Sequence, residues 1–376
     1  MESKKNIVIA TWIGGGNYGT SLQSFSLHKK LEDLGFKTSI VIPYIPNHYN
    51  IKNLSTRSLC FFGINTEKLK RLLRGDRRTA KQKKLDAFEK KYYNKRIICF
   101  PMQMSWLKKH TDAFISGSDQ IWNTVHCFDK FYFLDFAGDV KRIAYASSMG
   151  INDFPDQHKN SVQELLSKFY KIGVREKTAV KAISTLLNKK EICQVLDPTF
   201  LLDSNEWINI ARNAKIEIEL PKKYIFCYFI GNNPWYEQQV QKVKETIGID
   251  RVIQICLNAN NNVIIPDAYQ YEEAGPLEFV RLIKEATFVC TDSFHATAIS
   301  INLEKDFVEF MRFQDNDNFS QNSRIYDLLN HYGLISRIYS EIKDDWSKPI
   351  LYTNITNQLQ TDRKESLEFL VNAIEK

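Results

Sequence analysis

The stretch Asn6-Ile7-Val8-Ile9-Ala10-Thr11-Trp12-Ile13-Gly14-Gly15-Gly16-Asn17-Tyr18-Gly19 decides the fold class. Its first half is a short apolar run rich in β-branched residues, which reads as a strand and is too short for a signal peptide. The glycines turn the chain. A helix is expected from about Thr20, because Leu27, Leu31 and Leu34 recur at i, i+4 and i+7. Gly35 is a good stop, and a second strand, Phe36 to Ile42, ends at Pro43. Strand, helix and strand form a βαβ unit, and such units build parallel sheets.

The alternation continues. Further strands are expected at Ala113–Ser116, Ile143–Ser147, Lys171–Arg175 and Ile192–Leu196, with Pro198 closing the series. Asp203-Ser204-Asn205 reads as a helix cap or a domain seam. In the second half, strands at Tyr224–Ile230, Val252–Leu257, Phe288–Thr291 and Phe307–Met311 alternate with helices at Pro234–Thr246, Pro276–Glu285, His295–Leu303 and Ser323–His331. A chain of 376 residues exceeds the usual reach of one core. The expectation is an α/β fold of two Rossmann-like domains, 1–205 and 206–376, with parallel sheets facing a central cleft. The last helix, from Asp362, is free to return to the first domain.

With 43% hydrophobic and 25% charged residues the chain reads as globular, and no run of about 18 apolar residues offers a membrane span. The seven cysteines are odd in number and form no C-x-x-C pair. Reduced thiols of a cytoplasmic protein fit them better than a disulfide frame or a zinc site. His126-Cys127 near Asp129 is the only metal-like cluster, and no metal is expected. The net charge of +7 is concentrated: Lys68–Arg96 holds thirteen Lys or Arg against three Asp or Glu, which leaves −3 for the rest. That excludes a general nucleic-acid signature. Residues 47–96 read as a basic insertion on the first domain, and its segment Lys68–Arg96 reads either as a solvated helix face or, preferred here, as a contact for an anionic membrane surface.

Three turns carry chemistry. Gly14-x-Gly16-x-x-Gly19 formally fits the dinucleotide fingerprint, but Val41-Ile42-Pro43-Tyr44 lacks the acidic residue expected after the second strand. A nicotinamide enzyme therefore ranks last, and Asn17, Tyr18 and Gln23 are read as hydrogen-bonding groups on a polar cleft. Gly117-Ser118-Asp119-Gln120-Ile121-Trp122-Asn123 combines small residues, directional polar groups and a flat indole, which suits a sugar. It equally suits a helix cap with Trp122 in the core. Thr291-Asp292-Ser293-Phe294-His295-Ala296-Thr297 ends a strand and starts a helix, the natural geometry for an anion, with His295 placed to donate a hydrogen bond or a proton. The plainer alternative is a cap at Asp292 or Ser293 with His295 packed. Arg175 at a strand end and Arg324 at a helix start offer guanidinium forks.

Asn17-Tyr18-Gly19 with Leu22-Gln23, Gly117-Ser118-Asp119-Gln120-x-Trp122-Asn123, Ala144-Tyr145-Ala146-Ser147-Ser148-Met149-Gly150, Val174-Arg175-Glu176-Lys177, Leu196-Asp197-Pro198-Thr199, Thr291-Asp292-Ser293-Phe294-His295 and Asn322-Ser323-Arg324 follow one another in order. This series, over roughly residues 6 to 335, resembles the polysaccharide pyruvyl transferase family. The resemblance implies a GT-B-like arrangement, phosphoenolpyruvate as donor, a pair of sugar hydroxyls as acceptor, and no cofactor. It implies a donor site of Arg175, Ser293, Phe294, His295, Asn322 and Arg324, with His295 assisting the leaving phosphate or acting as general acid. Asp119 would be the base for the acceptor, beside Asn17, Tyr18, Gln23, Gln120, Trp122 and Asn123. Ala296 stands where the family usually has glycine, which narrows the approach to the backbone. A GT-B glycosyltransferase using a nucleotide sugar and a non-catalytic glycan-binding protein are the alternatives.

Overall fold

The computed structural model describes residues 4–14, 16–43, 78–98, 101–188, 191–256, 263–314, 317 and 320–376. Two parallel sheets organise them. The first contains β1 (Asn6–Ala10), β2 (Lys37–Pro43), β3 (Lys95–Ile98), β4 (Ala113–Ser116), β5 (Lys141–Ser147), β6 (Lys171–Val174) and β7 (Ile192–Gln194), in the order β3-β2-β1-β4-β5-β6-β7. The second contains β8 (Ile225–Phe229), β9 (Val252–Cys256), β10 (Tyr269–Gln270), β11 (Phe288–Thr291) and β12 (Phe307–Glu309), in the order β10-β9-β8-β11-β12.

The helices of the first half are α1 (Tyr18–Asp33), α2 (Ala80–Tyr92), α3 (Pro101–Lys109), α4 (Asp156–Ser167), α5 (Lys177–Leu187) and α6 (Ser204–Ala211). Those of the second are α7 (Tyr236–Ile247), α8 (Pro276–Glu285), α9 (Phe294–Asn302), α10 (Ser323–His331) and α11 (Tyr352–Glu375). Asp203 caps α6, exchanging hydrogen bonds with Glu206. Among the described residues no helix is long and apolar enough to cross a membrane.

Strand periodicity divides the core. On β1, Ile7 and Ile9 join a cluster that continues into Phe226, Tyr228 and Phe279 of the second half, whereas Val8 and Ala10 face a separate cluster with Phe114 and Trp122. A third cluster, with Cys227, Phe229 and Val308, backs the second sheet. The two lobes thus share one apolar layer. Each sheet reverses its strand order once, between β1 and β4 and between β8 and β11, and ligands of such sheets bind outside the strand ends at these points.

The final helix joins the lobes. Near its start Tyr352 Oη donates to Lys305 O at 2.5 Å; further along, Ser366 Oγ accepts from Leu196 N at 2.9 Å. At its end, Lys5 and Lys141 each donate from Nζ to Ile374 O at 3.1 Å.

The insertion expected over 47–96 needs correction. Its second part, α2 and β3, is a crossover helix and the edge strand of the first sheet, paired with β2. Leu85 and Phe88 of α2 are buried, and the Phe88 ring lies 5.3 Å from that of Phe25. The surrounding lysines hid this amphipathic pattern because several are neutralised internally. Lys84 pairs with Glu278 at 3.3 Å, Lys95 pairs with Glu89, and Lys81 donates to Cys256 O at 3.1 Å, where burial lowers its pKa to about 8. Residues 44–77, including Lys68–Arg77 of the basic segment, lie outside the described residues.

Candidate active site

The turn from β11 into α9 is built from its own sequence. Ser293 is the N-cap, its Oγ accepting from Ala296 N at 3.5 Å, so Phe294 and His295 occupy the first turn. Asp292 does not cap this helix. Its carboxylate accepts from Ile230 N and Gly231 N at 2.6 Å each, from Tyr236 Oη at 3.0 Å and from Arg312 Nε at 3.3 Å, fastening the β8–α7 turn to the β11–α9 turn. His295 reaches across to the first lobe, where Nε2 lies 3.7 Å from Asp197 Oδ2. Room for the ring exists because residue 19 is glycine. A Cβ there would sit 2.3 Å from His295 Nδ1. Burial lowers the His295 pKa; Asp197 and Asp119 oppose this, while Arg175 and Arg324 add to it. The imidazole is neutral at neutral pH.

Arg175, at the carboxyl end of β6, is the hub of the first lobe. Nε donates to Glu176 Oε1 at 2.9 Å, Nη1 donates to Asp197 Oδ2 at 2.7 Å, and Nη2 lies 4.0 Å from Asp119 Oδ1. It therefore presents one free nitrogen, not a fork. The Phe294 ring lies 4.3 Å from the Arg175 guanidinium and 6.0 Å from that of Arg324. Arg324 is buried, and among the described residues no carboxylate pairs with it. It donates to Gln321 Oε1 at 2.8 Å and to Gln321 O at 3.4 Å, and the Gln120 side-chain amide lies 3.0 Å from its Nη1. Burial, then repulsion from Arg175 and Arg312, lowers its pKa to about 9. His295 Nε2, Arg175 Nη2 and Glu176 Oε2 are all buried without a hydrogen-bond partner. Buried polar atoms are rarely left so, and three in one cluster mark a place for a ligand. Beside them lies a cavity of about 160 Å³, lined by Arg175, Asp197, Phe294 and Arg324 and opening between α10 and α11.

The family model for polysaccharide pyruvyl transferase matches residues 17–310. The chain belongs to this family. It is a transferase of polysaccharide biosynthesis whose acceptor is a sugar. The match includes Arg175, Asp197 and His295 but stops short of Asn322 and Arg324. Among solved structures, Arabidopsis thaliana UGT89C1 complexed with UDP-L-rhamnose is similar, with a TM-score of 0.52, 10% identity, and 99% of each chain covered. The UDP-GlcNAc 2-epimerase of Neisseria meningitidis bound to UDP-GlcNAc gives a TM-score of 0.48 at 10% identity, covering 98% of this chain and 100% of that one. The fold is GT-B-like. No curated protein matches by sequence.

Within this transferase the residues expected to meet the acceptor divide into two groups. Gln120 and Asn123 stay at the site: Asn123 Nδ2 donates to Gln120 Oε1 at 3.1 Å, and Gln120 Nε2 donates to Gln321 Oε1 at 3.0 Å, bridging the lobes. Asn17 Oδ1 caps α1, accepting from Gly19 N at 2.9 Å. Tyr18, Gln23 and Trp122 are fully buried and committed to structure. Tyr18 Oη donates to Ala274 O at 3.0 Å and its ring stacks on Phe279; Trp122 Nε1 donates to Tyr132 O at 3.1 Å and its ring stacks on Phe133. Gln23 Nε2 donates to Thr11 Oγ1, Trp12 O and Thr20 O, while its Oε1 accepts from Ser118 N.

Asp119 is not a free base, since Oδ2 accepts from Thr20 Oγ1 at 2.8 Å and Oδ1 from Gln120 N at 2.9 Å. Asn322 Nδ2 donates to Phe313 O at 2.8 Å, holding the loop that delivers Arg324. Sequence reading missed Asp197, Glu176 and Gln321 as site residues. The signal for the two acids was their place, Glu176 just after β6 and Asp197 just after β7, at strand ends that face ligands.

Proposed function

We propose that the protein transfers pyruvate from phosphoenolpyruvate onto two hydroxyls of a sugar, in a polysaccharide or lipid-linked precursor, forming a ketal and releasing phosphate. The observation that carries this reading is Arg324, a buried cation repelled by two other arginines and paired with no carboxylate among the described residues. Such a group is costly unless an anion completes it. Phosphoenolpyruvate brings a phosphate and a carboxylate. Arg324, Arg175 Nη2 and the N-terminal turn of α9 are the groups that would receive them, with Phe294 against the vinyl carbons.

The reaction balances without a redox partner. A proton goes to the methylene carbon, the first sugar hydroxyl adds to the central carbon and gives up its proton, and the C–O bond to phosphate breaks. The second hydroxyl then closes the ketal and gives up its proton. The two hydroxyl protons end on the new methyl group and on phosphate. His295 rests neutral with Nε2 unpartnered, so it takes a hydroxyl proton first and acts as an acid only once loaded; Asp197 at 3.7 Å stabilises the imidazolium.

Protein, phosphoenolpyruvate and a panel of nitrophenyl and lipid-linked sugars test the reading. Phosphate release with a product heavier by one pyruvate less water supports it. Stabilisation by a UDP-sugar with no response to phosphoenolpyruvate would instead favour nucleotide-sugar transfer. Exposed Lys83, Lys90 and Lys91 on α2, with Lys68–Arg77, are the groups that would hold the enzyme on an anionic membrane, and salt-sensitive sedimentation with anionic vesicles tests that part.

A further inference from the structure

Ketal formation deprotonates two hydroxyls, and His295 serves one of them. The cluster around Arg175 holds a second base. Among the described residues three carboxylates act on the Arg175 guanidinium: Glu176, Asp197 and Asp119. Two of them are filled. Asp197 Oδ1 accepts from Thr199 N at 3.0 Å and Thr199 Oγ1 at 2.8 Å, and its Oδ2 accepts from Arg175 Nη1 at 2.7 Å and Ser118 Oγ at 3.1 Å. Asp119 commits both oxygens, to Thr20 and Gln120. Glu176 differs. Its Oε1 accepts from Arg175 Nε at 2.9 Å and from the Oγ of Ser148, just after β5, whereas Oε2 is buried with no partner. A buried carboxylate oxygen normally accepts a hydrogen bond, so a ligand hydroxyl suits it.

The guanidinium gives this oxygen its place in the reaction. It is planar and trigonal, so the free Nη2 of Arg175 is flanked by the other two nitrogens. Nη1 leads through Asp197 Oδ2 to His295 Nε2, 3.7 Å farther on, and Nε leads to Glu176. A pyruvyl carboxylate held on Nη2 thus has one unpartnered acceptor on either side, His295 Nε2 and Glu176 Oε2. The cations acting on Glu176 are Arg175 in contact and Arg324 at longer range. A hydroxyl adding to an oxocarbenium carbon is strongly acidic, so even a carboxylate held by arginine is base enough.

We infer that Glu176 is the second base of the reaction and receives the proton of the hydroxyl that closes the ketal. This rests on the pyruvyl-transfer reading and assigns a residue within it. The C–O bond to phosphate breaks with its electron pair on phosphate. A lone pair of the second hydroxyl then forms the new bond to the central carbon, and the O–H proton passes to Glu176 Oε2 and on to phosphate. Without the base, water adds to that carbon instead, and the hemiketal collapses to free sugar and pyruvate.

The test uses the full chain, phosphoenolpyruvate and the p-nitrophenyl hexosides with which wild type releases phosphate. Phosphate, free pyruvate and ketal are measured together. Wild type should give ketal and phosphate in equal amounts. Glu176→Gln keeps an acceptor for Arg175 Nε and Ser148 Oγ but takes no proton. It should lower the ketal formed per phosphate by about tenfold or more, with the difference appearing as free pyruvate. Glu176→Asp keeps the charge but withdraws the carboxylate by one methylene, so a smaller drop in the same ratio is expected; it carries the test alone if the glutamine variant does not fold. A role confined to holding Arg175 would raise KM for phosphoenolpyruvate and leave the ratio unchanged. Equal ketal and phosphate in the folded variants therefore overturns the inference while the pyruvyl-transfer reading stands. If wild type releases no phosphate with any sugar, that reading fails first, and this inference falls with it.

Discussion

Replacing Arg324 by Met should make the empty protein more stable. The guanidinium is buried and its pKa falls from 12.5 to about 9, so the folded state disfavours its charged form. A gap of roughly 3.5 pK units corresponds to an upper bound of about 5 kcal/mol of destabilisation at neutral pH. Two hydrogen bonds to Gln321 are lost, at about 1 to 1.5 kcal/mol each. Gln321 Oε1 keeps Gln120 Nε2 as donor, so no orphan is created there. The net expectation is a gain of about 2 kcal/mol for Arg324→Met, in line with buried charges replaced by apolar groups.

The pH dependence has a definite sign. The folded pKa is depressed, so wild type should recover stability as pH rises through 9, and the variant should not. The ligand response should be the reverse. Phosphoenolpyruvate at a hundred times its Kd adds about 2.7 kcal/mol to wild type and nothing to the variant. Denaturant titrations at pH 7 and 9.5, with and without phosphoenolpyruvate, measure both effects. A variant less stable than wild type when empty, or equally stabilised by phosphoenolpyruvate, would refute the assignment of Arg324 as a cation awaiting its anion.

Gly19→Ala should place its Cβ 2.3 Å from His295 Nδ1 and displace the ring, lowering phosphate release about a hundredfold. Stability should change by less than about 2 kcal/mol, because better helix propensity offsets crowding; a normal rate would remove His295 from the chemistry. Tyr18→Phe should cost about 1 kcal/mol through the lost bond to Ala274 O and leave the acceptor KM unchanged, and a large KM effect would return Tyr18 to the acceptor site. Burial lowers the His28 pKa from 6.5 to about 4, so the unfolded chain takes up the proton first as pH falls. That should remove about 3 kcal/mol of stability between pH 6.5 and 4, a slope that His28→Gln would flatten in denaturant titrations.

Elements with an unmixed pattern were legible in the sequence. β1, α1 and β2 follow from a β-branched run, a glycine turn and three leucines, and the β11–α9 turn from a strand ending in Thr-Asp-Ser. α2 and β3 were not, because lysines dominate that stretch and their partners, Glu278 and Cys256, lie far along the chain. The anion site could be placed at a strand end, but the directions of neighbouring side chains could not. Tyr18 and Trp122 adjoin polar loops, yet the apolar layers on either side of the first sheet drew them in. Asp197 acquires its meaning only when Arg175 and His295, 120 residues apart in sequence, meet on one carboxylate.

The clamping of α11 at both ends bears on how the lobes can move. Its 24 residues span about 36 Å, with one end fixed beside Lys305 and the other beneath β1 and β5. A stiff rod held this way resists being stretched or sheared but tolerates torsion. Any opening that parts Gln120 from Gln321 would then be a swivel about this axle, and the α10–α11 mouth, lying against the axle itself, would change shape least.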